Sequence, residues 1–338
     1  MKRYEGLASL EKPFSNAVVT LGNFDGVHRG HKFILQDTIQ RARARGGLSV
    51  VFTFFPHPVT LLAPESCPLL IQTIDQRLDT LERMGVDACV VEPFTLNLAQ
   101  IEPKKFISEV LLEKLGAAEI VVGYDFTFGV HRRGTAEVLK HLGHERGVDV
   151  HIVEAQFQDE LLISSTEIRN AVTEGNMQRA HLLMDEPFTI RGTVVPGHGI
   201  GKTLGTHTAN LVAENELPPG EGVYITKTKF VGDERAVPSV TSVGTNPTFK
   251  EGYFDSPSPL PLSPQGRGRR ELPHRAAGEY SIETHLIDFE DDLVNAHLEV
   301  CFYERMRGQV AFDSPATLKG QIAQDIAAAR RWHEKNTV

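Results

Sequence analysis

The sequence predicts an α/β domain followed by a β domain: a parallel sheet flanked by helices, then an antiparallel Greek-key-type barrel with a terminal helix. Three observations predict it. In the first half, short continuous apolar runs alternate with segments of helical period, the pattern of strands covered on both faces. After Pro187 the texture changes to short strands punctuated by Gly and Pro. The length of 338 residues suits two domains, each large enough for its own core. The boundary is expected at 186/187, giving domains 1–186 and 187–338.

Ala17-Val18-Val19-Thr20-Leu21 is the first strand, and Ile34, Leu35, Ile39 and Ala42 mark the helix after it. Gly46-Gly47 stops that helix, and Leu48 to Phe54 is a second buried strand. Leu78, Leu81 and Met84 give a helical face before a third strand, Ala88-Cys89-Val90-Val91. Pro103, favoured at a first helical position, opens a helix with Phe106, Ile107, Val110 and Leu111 on one face. Ile120-Val121-Val122 is a fourth strand, Val138, Leu139 and Leu142 a helix, and Val150 to Val153 a fifth strand. Two short helices follow, Ser165 to Val172 and Asn176 to Met184. The second half carries strands at Phe188–Val195, Val223–Thr226, Val240–Val243, Ser281–Ile287 and Leu298–Phe302. Ser314-Pro315, an N-cap with proline after it, starts the last helix, with Leu318, Ile322 and Ile326 on its face. Residues 253–278 are too rich in proline for a strand or helix and read as a disordered or extended insertion. Its arginines lack the aromatic interleaving that base stacking needs, so a solvated linker is preferred to an RNA-binding tail.

A net charge of −9 argues against a nucleic-acid partner held by general electrostatics. No apolar run reaches the ~18 residues of a membrane helix, and no apolar stretch of a signal peptide follows the basic start. Cys67, Cys89 and Cys301 show neither metal spacing nor a disulfide framework. These features read as a cytoplasmic, soluble protein with no membrane segment; they leave the oligomeric state open.

The chemistry-bearing motifs fall at the carboxyl ends of the predicted parallel strands, where such sheets bind ligands. Gly22-Asn23-Phe24-Asp25-Gly26-Val27-His28-Arg29-Gly30-His31 links the first strand to its helix. Glycines let backbone approach an anion, and the helix N-terminus supplies free N–H groups; Gly22, Asn23, Phe24 and Gly30 are therefore candidates for holding nucleotide phosphates. His28 and His31 add ring N–H donors where charge develops. The plainer alternative is a turn with two surface histidines. Phe54-Phe55-Pro56-His57-Pro58 closes the second strand, and Gly123-Tyr124-Asp125-Phe126-Thr127-Phe128-Gly129 the fourth. Ile163-Ser164-Ser165-Thr166-Glu167-Ile168-Arg169 opens the helix after the fifth, with hydroxyls that either cap it or donate to phosphate. Phe126 and Phe128 alternate, so one belongs to the core while the other flanks a planar ligand, or both are core. In the second half, the run from Gly192 through Gly197, Gly199, Gly201 and Lys202 can wrap phosphates. Thr208 and Asn210 offer neutral oxygens suited to Mg²⁺. Glu283, between apolar neighbours, is either a base for an attacking alcohol or a solvent-facing strand residue.

The first motif resembles the HxGH signature of α/β nucleotidyltransferases. The ensemble, joined by Gly244-Thr245-Asn246-Pro247-Thr248-Phe249 and Ile282 to Phe289, resembles the bacterial bifunctional riboflavin kinase/FMN adenylyltransferase family, the prokaryotic FAD synthetases. The likeness spans about residues 15–335 apart from the insertion. It implies a Rossmann-like nucleotidyltransferase domain and a riboflavin kinase barrel, with riboflavin, FMN and ATP as substrates and Mg²⁺ as the metal. By match to the family, Thr208 and Asn210 hold the metal–nucleotide and Glu283 is the kinase base. His28 and His31 stabilise the triphosphate, and Ser164, Ser165, Thr166 and Arg169 grip it. Asp125, Phe126, Phe128 and the Pro56–Pro58 loop shape the flavin side. The chain departs from the family's pattern at Thr206-His207, where Phe-Pro is usual, at Val294-Asn295, where Tyr-Gly is usual, and at Leu162, where arginine is frequent. Three other readings stay open: an adenylyltransferase with an inactive kinase half, a class I aminoacyl-tRNA synthetase-like enzyme, and a non-catalytic flavin-binding regulator. The second lacks a lysine-rich second signature and a tRNA-binding domain.

Overall fold

A computed structural model of the chain describes residues 1–196, 208–233, 235–244 and 280–336. The expected insertion at 253–278 and the candidates Gly197, Gly199, Gly201 and Lys202 lie outside the described residues. Two compact units form. One is Met1–Ala171 with Arg179–Glu186 and Asn215–Leu217; the other is Val172–Gln178, Pro187–Glu214 and Pro218–Val338.

The first unit is built on β1 (Lys2–Tyr4), β2 (Ala17–Leu21), β3 (Ser49–Phe55), β4 (Ala88–Pro93), β5 (Ala117–Gly123) and β6 (Asp149–Val153). Their order is β1-β4-β3-β2-β5-β6, and every pair is parallel. From β2 the chain steps outward to β3 and β4, then returns to lay β5 and β6 on the other side. The order reverses at β2, and sheets of this kind bind ligands in the crevice above the carboxyl ends at such a reversal, here β2 and β5. The helices are α1 (Arg29–Ala44), α2 (Ile74–Arg83), α3 (Ala136–His144), α4 (Ser165–Glu174) and α5 (Met177–Met184). One face of the sheet packs Val19, Phe52, Val90 and Ile120 against Ile107, Leu111 and Leu139; the other packs Val51 and Cys89 against Leu35, Ile39, Leu78 and Leu81. The segment expected as one helix after Pro103 starts as a turn, Pro103–Lys105, and widens into a π-type winding over Phe106–Lys114. Phe106, Ile107, Val110 and Leu111 are still its buried residues.

The second unit is a closed antiparallel barrel of β7 (Phe188–Val195), β8 (Ala209–Ala213), β9 (Gly222–Phe230), β10 (Val237–Gly244), β11 (Ser281–Leu286) and β12 (His297–Arg307). The order is β7-β8-β11-β10-β9-β12, closed by pairing of β7 with β12. Strands β9 to β12 lie in the spatial order 12-9-10-11, a Greek key. The interior has two halves. Phe188, Tyr224 and Phe302 make an aromatic half, with ring centroids 5.4 and 6.0 Å apart around Phe302. Thr226, Thr228, Ser239, Thr241 and Thr284 make a polar half, fully buried and joined by hydroxyl hydrogen bonds of 2.8–3.3 Å. A lone buried hydroxyl costs about 1–3 kcal/mol, which is why these sit as a connected group. The terminal helix, α6 (Pro315–Lys335), begins at a Ser314/Thr317 capping box and lays Ile326, Ala329 and Trp332 on Val223, Ile225 and Val240, outside the barrel.

Candidate functional site

The loop between β2 and α1 is bent by left-handed backbone at three positions flanking Asp25. Phe24 has φ 50°, Gly26 83° and Val27 32°. For a β-branched residue that is an outlier, and such strain gathers at ligand sites. A Cβ on Gly26 would stand 2.9 Å from the Ile71 side chain. At Gly30 a Cβ would stand 3.2 Å from the His28 ring, so glycine is what lets that imidazole lie over the start of α1.

His28 is the N-cap of α1: its Nδ1 accepts from the His31 N–H at 3.2 Å. In the neutral ring the proton is then on Nε2, which is a donor. Burial pushes the His28 pKa down to about 4, with Asp25 opposing and Arg169 assisting. His31 stacks on it with centroids 3.6 Å apart, and burial, His28 and Arg77 hold its pKa well below the usual value. Both rings are therefore neutral donors at pH 7. The His31 Nδ1 is buried and has no hydrogen-bond partner, as is the Asn23 Oδ1 close by in the same loop. Asn23 meets His57 Nε2 at 3.0 Å through its Nδ2, while His57 Nδ1 takes the Val59 N–H. With Nδ1 accepting, a neutral His57 carries its proton on Nε2, so the Asn23 amide is satisfied with its oxygen toward His57 and its NH₂ where the unpaired atom now lies. That turns Asn23 into a further donor. The side chain of Phe24, a candidate for ATP, is core: it is buried and edge-on to His31.

The N-terminus of α4 meets the same loop. Ser165 Oγ donates to the Asp25 carbonyl at 2.9 Å, Ser164 Oγ accepts from the Glu167 N–H at 3.3 Å, and Thr166 is exposed. Ser164 and Ser165 thus serve the protein first, as cap and tie. Arg169 donates through Nε to the Leu69 carbonyl and through Nη2 to Asp25. Arg169, expected to grip phosphate, commits two of its nitrogens to protein. Asp25 and Arg77 are the site residues the sequence reading passed over. Asp25 is buried, accepts the backbone N–H groups of Ile71 and Gln72, and has Arg77 at 3.8 Å. Removing one partner of such a buried pair costs roughly 3–5 kcal/mol. Two helix N-termini meet at this loop beside Arg169, an arrangement suited to a polyphosphate.

On the side expected for flavin, Phe128 is buried against Phe106 and stacks on a half-buried Phe126. Phe128 is core and supports Phe126, which is half-buried against the same cluster. Asp125 and Pro56 are exposed, and Pro58 is half-buried at the first position of a short helix capped by His57.

In the barrel, register brings the candidates together. Asn210 of β8 lies opposite Glu283 of β11, and Glu283 lies opposite Ser242 of β10. Thr208 precedes Asn210 by two residues. Ala209, Leu211, Ile282 and Thr284 fill the interior, so Asn210, Glu283 and Ser242 form a half-buried row on the outer face. Gln309 donates to the Ser242 Oγ at 3.0 Å, adding an amide to that row. Among the described residues there is no cluster of three His, Cys, Asp or Glu that could cage a metal. A row of neutral oxygens beside one carboxylate fits instead a hard cation that keeps waters and phosphate oxygens. The sequence reading missed β8 as a strand; the alternation Thr208-Ala209-Asn210-Leu211-Val212 was its signal.

Comparison with known proteins finds two family matches in the chain. Residues 10–167 match the family described as FAD synthetase, and residues 184–333 match riboflavin kinase. Proteins named bifunctional riboflavin kinase/FMN adenylyltransferase are similar over almost the whole chain. That of Escherichia coli K12 is 32% identical over 98% of each chain. That of Pseudomonas fluorescens is 33% identical over 98% of this chain and 97% of its own, and that of Bacillus subtilis 30% over 94% and 93%. A solved structure described as a macrolide-efflux protein from Streptococcus pneumoniae superposes with a TM-score of 0.80, at 29% identity and 98% coverage of each chain. Its description names efflux, whereas no helix among the residues described here is long and apolar enough to cross a membrane.

Proposed function

This chain belongs to the bifunctional riboflavin kinase/FMN adenylyltransferase family, and we propose that its two units perform the family's two reactions in sequence: riboflavin to FMN, then FMN to FAD. The ribityl 5′-hydroxyl of riboflavin attacks the γ-phosphorus of ATP and ADP leaves; Glu283 takes the hydroxyl proton. An oxygen of the FMN phosphate then attacks the α-phosphorus of a second ATP, and pyrophosphate leaves with no covalent enzyme intermediate. Neutral His28 and His31 donate to the phosphate oxygens as charge shifts toward the leaving group, and Asn23 and the free nitrogen of Arg169 hold the triphosphate. Phe126 offers its ring to the isoalloxazine, with Asp125 and the Pro56–Pro58 loop at the rim. Thr208 and Asn210 would hold Mg²⁺, which neutralises phosphate charge when bound. Positioning and electrostatics carry most of such phosphoryl chemistry. Both reactions consume ATP, which supports a cytoplasmic location.

The observation that carries this reading is the presence in one chain of a neutral His28/His31 donor pair at the switch crevice and of Glu283 beside Asn210 on the barrel. The relatives carry both activities in their names, so a single-activity enzyme and a non-catalytic regulator are not favoured. Purified protein given riboflavin, ATP and Mg²⁺ is expected to form FMN first and FAD after it, separated by chromatography. Flavin binding with no ATP consumed would refute the reading.

A further inference from the structure

Asp25 is buried, and its hydrogen bonds reach two other segments, the 69–72 loop and the first turns of α4. Its carboxylate accepts the N–H groups of Ile71 (3.1 Å) and Gln72 (3.2 Å) and the Arg169 guanidinium (2.6 Å); its carbonyl accepts the Ser165 hydroxyl (2.9 Å). Arg169 closes the ring by donating to the Leu69 carbonyl at 2.8 Å. The 69–72 loop is held from its other side too: Glu216 accepts the Leu70 N–H at 3.0 Å, and Asn215 donates to the Ile71 carbonyl at 3.1 Å. Ile71 packs against Gly26, and the Gln72 Oε1 is left buried without a partner. A guanidinium fixed through Nε and Nη2 can point its remaining nitrogen in one direction only. We infer that Asp25 is a positioning residue for ATP: by clamping Arg169 and the 69–72 loop to the histidine loop, it aims Arg169 at the triphosphate.

The inference rests on the proposed adenylylation at this crevice, and its test separates the two. Wild-type protein that forms no FAD from FMN and ATP overturns the proposed reaction itself. Given that activity, Asp25→Asn in the full chain is expected to raise KM for ATP in FAD formation about tenfold, with kcat changed far less. Its riboflavin phosphorylation should stay at the wild-type rate. In an Arg169→Gln background the Asp25 substitution should add nothing further, because both act through one contact. A merely structural role predicts instead equal loss of both activities with an unchanged KM for ATP, or additive effects in the double variant; either result overturns the inference. Arg169→Lys decides the matter should Asp25→Asn not fold. Lysine keeps the charge but cannot make the two-pronged contact to Leu69 and Asp25, so it should raise KM for ATP nearly as much as glutamine does. A wild-type KM in Arg169→Lys means that charge without aim suffices, and the clamp has no role.

Discussion

The parallel-sheet unit hangs its candidate residues on a strained loop, whereas the barrel stands them on strands. In the first, His28, His31 and Asn23 owe their places to backbone at positive φ, a histidine N-cap and a buried Asp25 with two arginines. Polar atoms there remain unpaired inside the protein. In the second, Asn210, Glu283 and Ser242 owe their places to ladder register, and the hydroxyls beneath them pair with one another. The difference teaches where substitutions travel. A loop-built site is sensitive to residues that touch no substrate; a register-built site is sensitive mainly to the residues in the row.

The sharpest way to break the comparison is at His31. His31→Ala should lower FAD formation from FMN on the order of 10²- to 10³-fold, as for loss of one transition-state donor. Riboflavin phosphorylation should persist at the wild-type rate, and equal loss of both in a folded protein would contradict separate sites. Glu283→Gln is the counterpart in the barrel. It keeps size and removes the base, so FMN formation should drop roughly 10²-fold while supplied FMN is still converted to FAD.

The pH dependence of stability sharpens the contrast at smaller scale. His28 titrates near 6.5 in an unfolded chain and about 4 here. The unfolded state then binds the extra proton as pH falls between those values, so the stability this burial contributes is whole above about pH 6.5 and lost on the way to 4. His31 acts in the same direction. The urea midpoint should therefore fall more steeply from pH 7.5 to 5 in the wild type than in His28→Asn. Parallel slopes would show that the ring titrates normally. His333 on α6 is also lowered by burial, which is why the difference between proteins, rather than the slope itself, is the readout.

Much of the scaffold was legible because its signals are local. Apolar runs marked five of the six strands of the sheet, β2 to β6, and Ser314-Pro315 marked the start of α6. Lys2–Tyr4 escaped because three charged or aromatic edge residues carry no periodicity, and β8 because its residues were read as a ligand motif. The histidine loop was legible as a phosphate site. Asp25 was not, although it lies within the motif, since its partners are Ile71, Gln72, Arg77 and Arg169 and only folding joins them. Phe24 and Phe128 show the converse: aromatic residues inside a ligand motif whose side chains belong to the core.

The smallest expected effect concerns residues 253–278. Gly244 and Ser281 face each other at the end of the β10–β11 ladder, so a short turn can join those strands. Loop closure changes by only about 0.6 kcal/mol for each halving of loop length. Replacing 253–278 by a short Gly-containing linker should leave the melting temperature and FAD synthesis nearly unchanged, and a collapse of either would show that the segment contributes to the barrel.

The central claim is that one chain holds two independent sites that share FMN as their common compound. Mixing the His31→Ala and Glu283→Gln proteins with riboflavin, ATP and Mg²⁺ tests it most directly. Alone, the first should accumulate FMN and the second should leave riboflavin unchanged. Together they should make FAD, because FMN released by one is taken up by the other. A mixture that forms FMN but no FAD, or a wild type that converts FMN to FAD yet never phosphorylates riboflavin, would contradict the account.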